Sequence, residues 1–128
     1  MTTREDVRAF LDRLDLPVES VAADMWLVRT NEGAELVVHY APPVLVLRVR
    51  VMSLPSDPAQ ASGLNRMLLE FNARDLVHGS YGIEGDHIVL TDTLELTDLD
   101  FSEFEASVDS LALALASHLN ALAPFGEK

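Results

Sequence analysis

The sequence predicts an α+β fold in which helices pack on one twisted antiparallel sheet, with the element order αβββαββα. Three observations support this prediction. Segments of helical periodicity stand near both ends and in the middle of the chain, the segments between them alternate with period two, and the connections between predicted strands are short. A parallel crossover needs about a dozen residues or more, so short connections favour antiparallel neighbours. No linker or internal repeat interrupts the pattern, so residues 1–128 are expected to form a single domain.

The first helix is predicted over Arg4 to Leu14, where apolar residues recur every three or four positions. Thr2 or Thr3 can serve as its N-cap, and Pro17 ends it. The next segment, Val18 to Asp24, is ambiguous, so no structure is predicted for it.

Three strands are predicted next, over Met25 to Arg29, Ala34 to Tyr40 and Val44 to Met52. Turn-forming residues, including Gly and Pro, separate them. In the third strand apolar residues alternate with Arg48 and Arg50, which point to the opposite face. One face of this strand is therefore expected to be buried and the other at least partly hydrated.

The second helix has the most clearly marked start in the chain, Asp57-Pro58-Ala59-Gln60. Asp57 can be the N-cap, Pro58 suits the first helical position, and Gln60 is placed to close a capping box. An apolar stripe follows on one face, made by Leu64, Met67, Leu68 and Phe71. That face is expected to pack on the core.

A hairpin is predicted after this helix. The run Leu76 to Ile83 has period two, residues 84–86 supply a turn, and the return strand covers Ile88 to Leu96. Asp92 falls in the register of the apolar residues of that strand. Either the strand bulges at Thr91 to Thr93 or a carboxylate faces the core side, and we favour the bulge.

The last helix is predicted from Asp100, with Glu103 completing a second capping box, to about Leu122. Two rows at seven-residue spacing form a wide apolar stripe: Phe101, Val108, Leu115 and Leu122, and Phe104, Leu111 and His118. We interpret His118 as a half-buried packing residue. A stripe this wide, on a domain that covers one side of its sheet, predicts surface that a second copy would bury, so we expect a homodimer.

The predicted core combines the strand and helix stripes. Its members are Leu45, Leu47, Val49, Val51, Leu64, Leu68, Phe71, Leu90, Leu94, Val108, Leu111 and Leu115.

Composition excludes several classes of protein. The chain has no cysteine, which rules out disulfides, thiolate nucleophiles and thiolate metal sites. The first residues lack the apolar stretch of a signal peptide, and no apolar run approaches the roughly 20 residues of a membrane helix. We therefore expect a soluble cytoplasmic protein.

The net charge of −12 is unevenly distributed. Residues 1–74 contain 8 basic and 10 acidic residues, whereas residues 75–128 contain 11 acidic residues and one basic residue. The C-terminal part therefore presents an anionic surface. Proteins bind nucleic acid and anionic membranes mainly through Lys and Arg, so this surface repels both. The charge indicates a basic or amphipathic protein segment as partner, or else it only maintains solubility.

The candidate catalytic and ligating residues do not form a known pattern. The four histidines lack i, i+2 or i, i+4 spacing, so a metal site would have to be assembled from different elements. An example is His78 and His87 with Asp86. The alternative is that these histidines only form hydrogen bonds. Ser80 lacks the nucleophile elbow, and the glycines at positions 79, 82 and 85 miss the dinucleotide pattern. We predict no enzyme, no cofactor, and no catalytic, cofactor-binding or metal-binding residues.

Several apolar motifs resemble the bacterial YbjN-like proteins, which in turn look like the class I chaperones of type III secretion. They are the run from Leu64 to Asn72, then His78-Gly79-Ser80-Tyr81-Gly82-Ile83, Ile88-Val89-Leu90, and Leu94-Glu95-Leu96 before Leu99-Asp100. The resemblance implies a dimeric α/β sandwich without defined catalytic residues. In the secretion chaperones an extended client segment wraps an acidic dimer, whereas the YbjN-like role is described as regulatory.

Two functions follow as expectations. The first is a non-enzymatic, chaperone-like or adaptor domain that recognises a segment of a partner protein as a homodimer. The alternative is a regulatory module, in signal transduction or stress response, that binds a folded partner protein.

Overall fold

A computed structural model describes residues 1–126. It contains three α-helices and six strands, which are α1 (Arg4–Arg13), β1 (Val18–Ala22), β2 (Met25–Arg29), β3 (Glu35–Ala41), β4 (Val44–Ser53), α2 (Pro58–Arg74), β5 (Ser80–Glu84), β6 (His87–Glu95) and α3 (Phe101–Leu122). A short 3₁₀ turn, Ala123–Phe125, follows α3.

The six strands form one sheet in the order β1-β2-β3-β4-β6-β5, with every neighbouring pair antiparallel. The predicted α+β fold with an antiparallel sheet is therefore confirmed. The segment that the sequence left open forms β1, which pairs with β2 at one end of the sheet. All five residues of β1 are exposed, which explains why no alternation of apolar and polar residues marks it.

The long strand β4 lies in the middle of the sheet, between β3 and β6. Its residues Leu45, Leu47 and Val49 are buried, as the alternation predicts, and Arg48 and Arg50 on the opposite face are exposed. Val51 is only partly buried, because the register against β6 shifts between Arg50 and Met52 and the alternation is interrupted there.

The helix starts follow the sequence signals. Thr3 caps α1 and Asp100 caps α3, each with a complete capping box. Asp57 caps α2 by accepting a hydrogen bond from the Gln60 backbone N–H at 3.2 Å. The reciprocal bond from the Gln60 side chain is not found among the residues described, so the capping box predicted at this helix is only half formed.

The core lies between the sheet and the helices and contains most of the predicted residues. Val51, Phe71, Leu94 and Leu115 are partly buried against it, and the other eight are buried. The core also contains residues that the prediction omitted, chiefly Trp26, Val28, Leu36, Val38, Ile88, Leu96 and Phe104. At its edge α1 packs on the start of α3, where the ring centroids of Phe10 and Phe104 are 5.9 Å apart.

The strand predicted from Leu76 begins later, at Ser80. Gly79 explains the delay, because its φ of +77° belongs to the left-handed region that favours glycine. A Cβ at this position would lie 2.6 Å from the Thr91 carbonyl oxygen. The residues before β5 therefore form a tight connection against β6 instead of extending the strand.

The bulge expected at Thr91 to Thr93 is wrong. The register of β4 with β6 runs without interruption through these residues, and Asp92 pairs with Leu47. Asp92 consequently lies on the helix side of the sheet, where its Oδ2 accepts a hydrogen bond from Ser107 Oγ at 2.6 Å. A partner on α3 allows the carboxylate to remain in regular strand geometry.

The helix α3 also departs from one expectation. By length and composition alone, Phe101–Phe125 is long and apolar enough to cross a membrane, since an 18-residue window within it has a mean hydropathy of 1.2. Core helices of soluble proteins meet the same criterion, and α3 buries Phe104, Val108 and Leu111 against the sheet. The hydropathy of this segment is therefore as consistent with a core helix as with a membrane helix.

Candidate protein-binding surfaces

The residues considered for a metal site do not come together. His78 lies in the connection before β5, with its Nδ1 at 4.0 Å from Asp92 Oδ2. His87 begins β6, five residues before Asp92 and so roughly 17 Å away along the strand. Within residues 1–126, no group of three or more His, Asp or Glu side chains could hold a metal ion.

His118 is buried rather than half-buried, and its imidazole has hydrogen-bonding partners on both nitrogens. Nε2 lies 3.1 Å from Asp75 Oδ2, and Nδ1 lies 2.7 Å from the Tyr81 hydroxyl. Because a carboxylate only accepts, Nε2 carries the proton and Nδ1 accepts from Tyr81. The imidazole also stacks on Phe71, with ring centroids 3.8 Å apart and planes 4° apart. This arrangement connects α3 to α2 and β5.

Burial raises the pKa of Tyr81 to about 12, and the negative charge of Asp75 adds to the effect. The hydroxyl therefore stays protonated at neutral pH and remains a donor to His118. None of the three side chains lines either of the cavities described below. The cluster is a structural connection between elements, and its geometry does not indicate catalysis.

The two edges of the sheet differ. At β5, the Asn72 side chain donates from Nδ2 to the Tyr81 carbonyl oxygen at 3.1 Å and accepts from the Tyr81 N–H at 2.7 Å. The amide thus takes the place of a neighbouring strand and closes this edge at Tyr81. At the other edge, β1 pairs with β2 alone and exposes Val18 and Val21. This edge is open to another strand.

An apolar groove of about 670 Å³, here called the α3 groove, runs beside the C-terminal half of α3. The helix contributes Ala112, Leu115, Ala116, Leu119 and Leu122. The end of β4 and the turn between β2 and β3 supply the facing wall, with further lining from Leu27, Val37 and the residues after α3. From Ser110 to Gly126 the chain contains no Asp, Glu, Lys or Arg, so the helix side of the groove is uncharged.

A smaller cavity of about 120 Å³, here called the acidic cavity, adjoins this groove. The two share Glu32 and Ala112 as lining residues. Glu105 and Asp109, one helical turn apart on α3, add two further carboxylates to the acidic cavity. Its lining residues, all within the described part of the chain, include no Lys, Arg or His.

Three exposed aliphatic residues stand on adjoining elements and are here called the α2–β5 patch: Leu69 on α2, Val77 in the following connection and Ile83 on β5. Their exposed fractions are 68%, 86% and 54%. Large aliphatic side chains this exposed on neighbouring elements are typical of an interaction surface.

None of the residues that line the groove and the cavity was predicted from the sequence as a site residue. The α3 groove combines a turn near residue 33, the end of β4 and a helix some 60 residues further on. No local motif marks such a site. The one available signal is the charge-free run from Ser110 to Gly126 in an otherwise acidic chain.

Solved structures share this fold. YbjN from E. coli, a proposed transcription regulator, matches with a TM-score of 0.68 at 12% identity, over 93% of this chain and 92% of that chain. A chain of the heterodimeric ExoU–SpcU complex from the type III secretion system of Pseudomonas aeruginosa matches with a TM-score of 0.67 at 20% identity, over 93% and 96%. The complex of the Yersinia pestis type III secretion chaperone SycH with a stable fragment of YscM2 gives 0.64 at 16% identity, over 90% and 98%.

Among curated protein sequences, none matches this chain. A family model, CesT_Tir_1, matches residues 1–128, which is the whole sequence. Together with the structural similarity to YbjN and to the secretion chaperones, this match confirms the resemblance found in the sequence. The chain belongs to the CesT_Tir_1 family of type III chaperones.

Proposed function

We propose that this chain is a cytoplasmic, non-enzymatic, chaperone-like or adaptor domain, with residues 1–128 acting as one domain that binds a segment of a partner protein as a homodimer. The α3 groove carries this proposal, because an apolar groove with an uncharged helix wall is unusual on a chain of net charge −12. The similar structures that contain ExoU–SpcU or SycH with a YscM2 fragment, which are complexes of two proteins, support a protein partner.

The negative charge of the chain indicates which charge its partner carries. With a net charge of −10 over residues 75–128, the surface attracts basic or amphipathic protein segments and repels nucleic acid and anionic membranes. Association is steered electrostatically, so its rate falls as salt concentration rises. Affinity comes from apolar contacts in the α3 groove or from backbone pairing at the open β1 edge.

The α2–β5 patch is our candidate for the dimer interface. Its three exposed aliphatic residues need covering, and α2 carries Arg66, Arg74 and one acidic residue, Glu70, between them. The helix therefore has a net positive charge in a strongly negative chain. Two copies that meet at this surface experience less repulsion than at any acidic surface of the C-terminal half.

Light scattering at micromolar concentration tests the dimer. Leu69→Glu should convert a dimer to a monomer, because it places a carboxylate in the covered patch. Leu113→Glu is the matched control, since Leu113 is similarly exposed, at 58%, but lies on α3. A monomeric wild type, or a Leu69→Glu protein that stays dimeric, would contradict the proposed interface.

The alternative function is a regulatory module that binds a folded partner, and the structural similarity to E. coli YbjN favours it. In that case the interface is a preformed patch of standard size, about 1,600 Å² in total. A pull-down from the source cell followed by limited proteolysis separates the two functions. A short protected peptide supports the chaperone-like function and an intact folded domain supports the regulator. Recovery of DNA alone would refute both.

A further inference from the structure

We infer that the α3 groove and the acidic cavity form one binding site, which takes a short apolar segment of a partner protein that ends in Lys or Arg. This inference rests on the proposed function and deepens it. The two cavities adjoin each other, because Glu32 and Ala112 line both. An apolar binding surface thus lies next to an anionic one.

The helix wall of the α3 groove suits an apolar chain. Small side chains at Ala112 and Ala116 alternate with Leu115 and Leu119, so a partner backbone can approach closely between larger apolar contacts. Leu119 is 66% exposed, and burying it is a source of affinity. From Ala112 to Ala123 the wall is about 17 Å long, which matches roughly five extended residues or three helical turns.

The acidic cavity favours a positive charge at one end of the bound segment. No oxygen of Glu32, Glu105 or Asp109 lies within 4.0 Å of a basic nitrogen in residues 1–126. These carboxylates are also too dispersed to form a metal site in that part of the chain. A Lys or Arg side chain needs only one of these carboxylates as a direct partner, and the other two add to the attraction. Among residues 1–126, Arg50 is the one basic residue that lines the groove, and it does not line the acidic cavity.

A displayed library of random 12-residue peptides, selected against the full chain, provides the probe. We expect enrichment of peptides with two or more apolar residues followed within five positions by Lys or Arg. A selected peptide, labelled with a fluorophore, is then titrated by fluorescence polarisation against the wild type and four variants.

Two variants test the groove. Ala116→Trp fills it and should weaken peptide binding at least tenfold. Ala121→Trp is the matched control, because Ala121 is exposed on the same helix but does not line the groove, and binding should change less than twofold.

Two further variants test the charge. The triple change Glu32→Gln, Glu105→Gln and Asp109→Asn should weaken binding several-fold and flatten its salt dependence. A control triple, Asp12→Asn, Asp86→Asn and Glu95→Gln, removes the same charge from exposed positions outside the acidic cavity and should change both affinity and salt dependence much less.

Several outcomes would overturn the inference. Equal binding to Ala116→Trp and Ala121→Trp would place the peptide elsewhere, while leaving the proposed function intact. Enrichment of acidic peptides, or no enrichment at all, would refute the inference that the site binds an apolar segment ending in Lys or Arg. The pull-down would then test the proposed function independently. A protein that becomes monomeric through Ala116→Trp but not Ala121→Trp would show that a second copy covers the groove.

Discussion

Substitution of Ser107 tests whether its hydrogen bond stabilises Asp92 on the helix side of the sheet. Ser107 is fully buried and donates from Oγ to Asp92 Oδ2 at 2.6 Å. Beyond this bond, Oδ1 accepts from the Thr93 backbone N–H at 3.0 Å, and His78 Nδ1 lies 4.0 Å from Oδ2. Hydrogen bonds to charged groups contribute about 1.5–3 kcal/mol. Ser107→Ala should therefore lower the free energy of unfolding by that amount, less an offset for helix propensity.

The offset is about 0.5 kcal/mol, because Ala is the better helix former. We thus expect a net loss of about 1–2.5 kcal/mol, measured by urea denaturation at pH 7. Ser117→Ala is the matched control, since Ser117 is exposed on the same helix, and it should be neutral or slightly stabilising. A Ser107→Ala protein as stable as this control would refute the reasoning.

The second half of the test removes both partners. Asp92 stands in register between Leu90 and Leu94, so Asp92→Leu combined with Ser107→Ala replaces a part-buried carboxylate and its buried partner by apolar groups. Such replacements are often neutral or stabilising, whereas removal of one partner is not. The double variant should recover most of the loss. A double variant less stable than Ser107→Ala would show that the carboxylate serves another contact.

Three further predictions concern the core and the edge of the sheet. Leu68→Ala should lower the free energy of unfolding by about 2–5 kcal/mol in urea, because Leu68 is 5% exposed in the core. The free energy of unfolding should fall as pH rises from about 10 to about 12, because the pKa of Tyr81 is raised to about 12 in the folded protein. The stabilisation is complete only below the pKa that Tyr81 has in the unfolded chain, about 10. Tyr81→Phe should remove this part of the pH profile. Asn72→Ala should lower the free energy of unfolding by about 1–3 kcal/mol, because it leaves the N–H and carbonyl of Tyr81 without their partner.

The sequence predicted most where the determining contacts are local. The caps at Thr3, Asp57 and Asp100 act within three residues, so the starts of all three helices were correct. The alternation in β4 was equally informative, because burial on one face of a strand repeats every two residues.

The sequence failed where a residue's partner lies far along the chain. Asp92 was assigned to a bulge because its partner, Ser107, lies 15 residues away on another element. His118 was interpreted as a half-buried packing residue because Asp75 and Tyr81 lie 43 and 37 residues before it. The α3 groove was missed for the same reason, and β1 was missed because an exposed edge strand has no burial pattern.

The Asn72 side chain also limits how far copies of this protein could polymerise through their sheets. A sheet with two open edges can add a neighbour on each side, and repeated addition gives a ribbon of unlimited length. Because Asn72 blocks strand pairing at Tyr81, we take β1 as the remaining edge of the sheet described for residues 1–126. Growth by strand pairing then stops at two copies. A partner strand bound at β1 would occupy that same position, so such binding and sheet-to-sheet self-association would exclude each other.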